Sequence, residues 1–168
     1  MRPHDIDSTT GLPCRASFLY RLDEQLAVAR QTSEPLAVLA LDVDHLAYVN
    51  YTFGPAAGDA ALGMVATVLR AHVRQDMLAR FGGDEFYALL PNVTLRNAMD
   101  LAERVRRAAV TIELDNPYPT APRRCLSFSL TVVAYPDHAG DASTLLARVA
   151  QELFEAKRQG RDTVYRFS

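Results

Sequence analysis

Leu36-Ala37-Val38-Leu39-Ala40-Leu41 is an unbroken apolar run of strand length. Such a run leaves no face for water, so it marks a strand buried on both sides, with covering layers above and below it. It ends in Asp42-Val43-Asp44. Carboxylates at the end of a central strand are costly to desolvate unless they pair, bind a metal or reach solvent.

A second constraint lies at Arg80-Phe81-Gly82-Gly83-Asp84-Glu85-Phe86. Apolar residues lead in (Met77, Leu78) and out (Phe86, Ala88, Leu89, Leu90), and the Gly-Gly pair between them signals a hairpin, since both glycines tolerate positive φ. A plain turn has no need of the acids that follow. Two carboxylates beside a backbone patch without Cβ atoms suggest a site for a cation and a phosphate.

The remaining elements follow from periodicity. Phe18, Leu19, Leu22 and Leu26 predict an amphipathic helix over Arg15–Arg30. A short helical segment is expected around His45–Asn50, then a break at Gly54–Gly58, then a helix starting near Asp59 and carrying Leu62, Val65, Val68 and Leu69. After a turn at Pro91-Asn92, Ala98 to Ile112 gives another helical stripe. Pro117, Pro119 and Pro122 make 115–124 a loop. Leu126, Phe128, Leu130 and Val132 alternate with Ser127, Ser129 and Thr131, the pattern of a strand with one buried face. Ser143 is the expected cap of a last helix carrying Leu145 to Ala156, and Val164-Tyr165 a short final strand. The series predicts an α/β (α+β) fold: a ferredoxin-like βαββαβ core with a mainly antiparallel sheet flanked by helices, plus an extra N-terminal helix and C-terminal strand.

At 168 residues, one domain is expected, with residues 1–7 a linker remnant and 8–168 the folded unit. A hydrophobic fraction of 49% with 23% charged residues fits a globular chain and argues against disorder. The net charge of −2 gives no electrostatic footprint for nucleic acid. No apolar run approaches the roughly 18 residues of a membrane span, and the polar start has no signal-peptide core. Cys14 and Cys125 cannot build a disulfide framework, so a reducing, cytoplasmic setting is expected, and His4, His72 and His138 share no ligand spacing, so no histidine metal site is assigned.

These segments together closely resemble the GGDEF family of diguanylate cyclases. The signature stands verbatim at Gly82–Phe86. Thr10-Gly11-Leu12-Pro13-Cys14-Arg15 resembles the family's T-G-L-P-N-R, Leu41–Leu46 its L-D-I-D-H-F, and Ala57-Gly58-Asp59 its A-G-D. Ser129–Pro136 resembles S-I-G-V-A-x-Y-P, and Ala156–Asp162 resembles A-K-x-x-G-R-N. The resemblance covers nearly the whole chain.

What it implies is a condensation of two GTP into cyclic di-GMP and pyrophosphate, with one GTP half-site per protomer and a transient homodimer for catalysis. By resemblance, Asp84 and Glu85 are catalytic. They share the metal, magnesium or manganese, with Asp42 and the backbone of Val43. Substrate contacts fall on Asn50 and Asp59 for guanine, on His45, Leu46, Gly82 and Gly83 around the nucleotide, and on Lys157 and Arg161 at the triphosphate. A carboxylate suits guanine, since it accepts from N1–H and the 2-amino group together. Read without the resemblance, Asp59 is a helix cap, Asn50 a turn residue, and Lys157 and Arg161 cations at a helix C-terminus. Fusion to, or regulation by, a sensory domain is also implied.

The surroundings of the signature depart from the family pattern. Leu46 replaces Phe, Ala47 Lys, Tyr51 Asp, Pro55 His, Thr131 Gly and Ala150 Asp. The product-inhibition motif R-x-x-D keeps Asp76 but has Val73 in place of its Arg, with Arg74 shifted by one, so feedback inhibition is expected to be absent. The alternative is a catalytically weak module that binds GTP or a cyclic dinucleotide as a regulatory domain. A third, an interaction domain without nucleotide, has less behind it.

Overall fold

The computed structural model describes residues 6–112 and 125–165; the expected 115–124 loop lies outside them. In chain order the elements are α1 (Arg15–Thr32), β1 (Leu36–Val43), α2 (Leu46–Phe53), α3 (Pro55–Arg70), β2 (Leu78–Gly82), β3 (Glu85–Pro91), α4 (Leu95–Ala109), β4 (Phe128–Tyr135), α5 (Ala142–Arg158) and β5 (Thr163–Tyr165). The strands form one sheet in the order β2-β3-β1-β4-β5, antiparallel throughout except for the parallel β4–β5 edge. This is the expected βαββαβ arrangement, with α1 before it and β5 after it.

β1 is central, and all its residues are buried. Its side chains alternate between two apolar layers, as the pleat requires. Ala37, Leu39, Leu41 and Val43 pack with residues of α2, α3 and α4. Leu36, Val38 and Ala40 pack with residues of α1 and α5. Truncating Leu39 to Ala would therefore cost about 2–5 kcal/mol.

Element ends refine the expectations. The break after α2 is narrower than Gly54–Gly58: Gly54 alone turns the chain at φ 88°, and Pro55 starts α3 at the position where its missing N–H is harmless. Asp59 is thus inside α3 and caps nothing. Asp141, not Ser143, caps α5, accepting from the Thr144 backbone N–H at 2.9 Å. Residues Gln75–Met77 form a 3₁₀ turn, so β2 begins at Leu78.

β4 differs from its reading in the sequence. It has no wet face: Ser129 and Thr131 are fully buried. Alternation reports polarity, and here the polar positions meet buried carboxylates instead of water. Ser129 Oγ donates to Asp44 at 2.7 Å, and Thr131 Oγ1 donates to Glu152 of α5 at 2.7 Å. Both acceptors are themselves buried.

Candidate functional site

The hairpin closes through Gly83 and Asp84, with Gly82 opposite Glu85. Of the two glycines only Gly83 uses the left-handed region, at φ 49°. Arg80 fixes this turn: its Nε and Nη2 donate to Gly83 O at 3.0 and 2.7 Å. Its Nη1 pairs with Asp7 at 3.2 Å, and its backbone N–H donates to Pro13 O. Asp7 also accepts from the Thr10 backbone and hydroxyl, so it belongs to the folded unit and not to the expected linker. On the outer side Phe81 stacks on Tyr87 at 3.9 Å, with Phe18 edge-on to both rings.

β1 delivers Asp42 to the same place. It lies opposite Glu85 on β3 and Ser129 on β4, and the Val43 N–H donates to Asp84 O at 3.1 Å. Asp42 is 2% exposed. Lys157, on the last turn of α5, brings its Nζ to 2.6 Å from Asp42 Oδ2. That contact neutralises charge, and Oδ2 has no further hydrogen-bond partner among the described residues. Burial pushes the Asp42 carboxyl up to about 7; the Lys157 ammonium opposes this, while Asp84 and Glu85 add to it. The same pairing raises the Lys157 ammonium above its ordinary value against the opposing effect of burial.

The acids of the signature face different recesses. Asp84 lines a cleft of about 320 Å³ together with Asn50, Asp59, Leu46, Gly83 and Arg80. Glu85 lines a recess of about 220 Å³ with Lys157, Tyr87 and Phe154. The cleft reaches the lower end of small-molecule pockets. Leu46, Ala47 and Pro55, three of the departures, line the cleft, and Ala150 lies in the recess.

The expected residues are not all gathered. Asn50, Asp59, Leu46, Gly83 and Asp84 share the cleft; Glu85 and Lys157 share the recess beside Asp42. His45 points elsewhere, lining a cavity with Tyr48, Cys125 and Ser127. Gly82 is exposed at the hairpin edge, and Arg161 is exposed on the loop after α5. Val73 packs into the core, and Asp76 is held by its neighbour Arg74 through a fork of 3.1 and 2.8 Å, with Arg21 at 3.9 Å.

Several neighbours are assigned no role at the site from the sequence. Gly58 is one: a Cβ there would overlap Asn50 Oδ1 and lie 2.8 Å from its Cγ. Asp44 is another, a buried acid that accepts from Ser127 Oγ, Ser129 Oγ and the Asp162 backbone N–H. Arg80 is the third, although it stands directly before the signature.

Among the described residues, no three His, Cys, Asp or Glu side chains converge as a self-sufficient metal cage. The donor set still suits a hard cation that keeps water and phosphate ligands, because Asp42 and Glu85 face each other on paired strands and Asp42 Oδ2 has capacity left.

By sequence, residues 4–163 match the GGDEF domain of diguanylate cyclases. The chain belongs to the GGDEF diguanylate cyclase family. It is 37% identical to diguanylate cyclase DgcP of Pseudomonas aeruginosa over 93% of its own length, and spans 23% of that protein. The GGDEF domain of DgcB from Caulobacter crescentus, solved with cyclic di-GMP, superimposes with a TM-score of 0.86 at 26% identity, covering 98% of this chain and 94% of that one. The GGDEF domain of TpbB from Pseudomonas aeruginosa does so at 0.86 and 33%, covering 95% and 92%. The sheet order and the hairpin described above are therefore those of a GGDEF domain. No helix among the described residues is long and apolar enough to cross a membrane.

Proposed function

We propose that this GGDEF domain is a diguanylate cyclase half-site, binding one GTP and completing the reaction against a second copy. The observation that carries this is the shared cleft: Asn50, Asp59 and Asp84 line one opening beside the Gly83 turn. An amide and a carboxylate there match guanine's Watson–Crick edge, with Asp59 accepting from N1–H and the 2-amino group. Gly83 lets a ligand approach the backbone, and Leu46 forms the apolar floor. Lys157 and Arg161 supply cations for the triphosphate.

In the reaction, the 3′-hydroxyl of each nucleotide attacks the α-phosphorus of the other. A bond from O3′ to phosphorus forms, the bond to the β-phosphate breaks, and pyrophosphate leaves with the electron pair. Two such steps close the ring. Asp84 or Glu85 takes the hydroxyl proton. Asp42, Glu85, Asp84 and the Val43 backbone would hold magnesium or manganese, which when bound offsets the charge building on the phosphates. Positioning by the cleft provides the rest.

A second reading, a nucleotide-binding module with little turnover, is favoured by Ala47 and Pro55 on the cleft wall. Losing a lysine near phosphates removes a charge-assisted contact worth about 1.5–3 kcal/mol. Since GTP is the substrate, the reading implies a cytoplasmic setting, with control by a sensory domain or partner. Chromatography of a reaction with GTP and magnesium tests it. Cyclic di-GMP should form and vanish in Asp84→Ala and in Glu85→Ala; an active double variant would refute the assignment.

A further inference from the structure

After α5 the chain passes through three successive residues with left-handed φ: Gly160 at 112°, Arg161 at 64° and Asp162 at 44°. Glycine tolerates this freely and Asp better than most residues, while Arg pays for it unless contacts support the backbone. Two of those contacts come from elsewhere in the fold. Asp44, 4% exposed beyond the end of β1, takes the Asp162 N–H at 3.0 Å and is itself held by Ser127 and Ser129. Arg106 of α4 donates from Nη1 to Asp162 Oδ1 at 2.7 Å. Its guanidinium is fixed in turn by Glu103, through Nε and Nη2 at 2.9 Å each. The third tie is local, from the Arg161 N–H to Ala156 O at 3.3 Å.

The residue directly before this doubly held Asp162 is Arg161, whose side chain stays exposed. Two charged groups distant in the chain thus order the backbone that carries one exposed cation. Lys157 needs no such help, since it sits within α5. We propose that Arg106 and Asp44 are positioning residues for Arg161, holding the 160–162 loop in the shape that presents it to the triphosphate. This rests on the reading of Arg161 as a phosphate contact.

The division gives a phosphate-specific signature. Titration calorimetry with GTP and with guanosine, in magnesium, compares wild type with Arg106→Met, Asp162→Ala, Arg161→Ala and Arg106→Met/Arg161→Ala. Arg106→Met and Asp162→Ala should each bind GTP roughly fivefold to tenfold more weakly, with guanosine affinity unchanged. The double variant should bind no more weakly than Arg161→Ala alone, since Arg106 acts through Arg161. Using Asp162→Ala as well separates the loop from any effect on the Arg106–Glu103 pairing within α4. Amide exchange at 160–162 should quicken in both single variants. Unchanged GTP affinity in them, an equal loss for guanosine, or additive losses in the double variant would overturn the inference while the functional reading stands. Wild-type protein that binds no GTP would sink both together.

Discussion

Lys157 Nζ sits 2.6 Å from Asp42 Oδ2, a cation from the last turn of α5 placed over a carboxylate that is 3% exposed at the end of β1. The pair joins the helix that closes one face of the sheet to the strand at its centre. It also spares the nucleotide-free fold a bare buried charge.

The pH dependence of stability follows from this pair, with its sign set by burial. Asp42 has a folded value of about 7, above its unfolded 3.8. The folded state therefore binds the proton more tightly, and the contribution of this group, full below 3.8, is lost as pH rises through about 7. Lys157→Met removes the ammonium and should lower stability by about 1–3 kcal/mol at pH 8 and by less at pH 5. Asp42→Asn should flatten the difference between the two. Glu103 has the opposite sign: Arg106, with Arg107, holds it near 2, so its contribution is present above 4.5 and lost on acidification. Denaturant unfolding at both pH values in metal-free buffer reads these changes.

Gly58→Ala should separate folding from recognition. Alanine favours a helix interior by about 1 kcal/mol over glycine, yet the added methyl group would displace the Asn50 amide. The melting temperature should move little, while GTP affinity falls about tenfold and discrimination against ATP narrows. Parallel titrations with the two nucleotides check this.

Arg80→Met should loosen the turn without touching the signature. It removes both bonds to Gly83 O and the pair with Asp7. Stability should drop by about 1–2 kcal/mol, amide exchange at Gly83 and Asp84 should quicken, and turnover should fall at least tenfold.

Feedback by product should be absent at Asp76. Val73 is packed in the core and Arg74 is forked onto Asp76 itself. Calorimetry with cyclic di-GMP should show no tight binding that Asp76→Ala abolishes.

The sequence carried the frame well for physical reasons. The Leu36–Leu41 run has one outcome in an α/β chain, and Gly82-Gly83 between apolar runs has few. Side-chain partners were less legible. Ser129 and Thr131 look like a wet face because alternation cannot tell water from the carboxylates of Asp44 and Glu152, which arrive from distant elements. Arg80 and Arg106 receive no role from the sequence, since the carbonyl and the carboxylate they hold are set only by the tertiary fold. His45 shows the converse: it stands within a matching segment, yet it sits before α2 with a left-handed φ of 60° and lines a different cavity.

The central claim is that two half-sites must meet. Its most direct test compares cyclic di-GMP formation by the free domain and by a fusion to a dimerising coiled coil, at equal protomer concentration with GTP and magnesium. Clear synthesis is expected from the fusion, and slower synthesis from the free domain, whose rate per protomer should rise with concentration. No cyclic di-GMP from the fusion, with GTP binding intact, would contradict it.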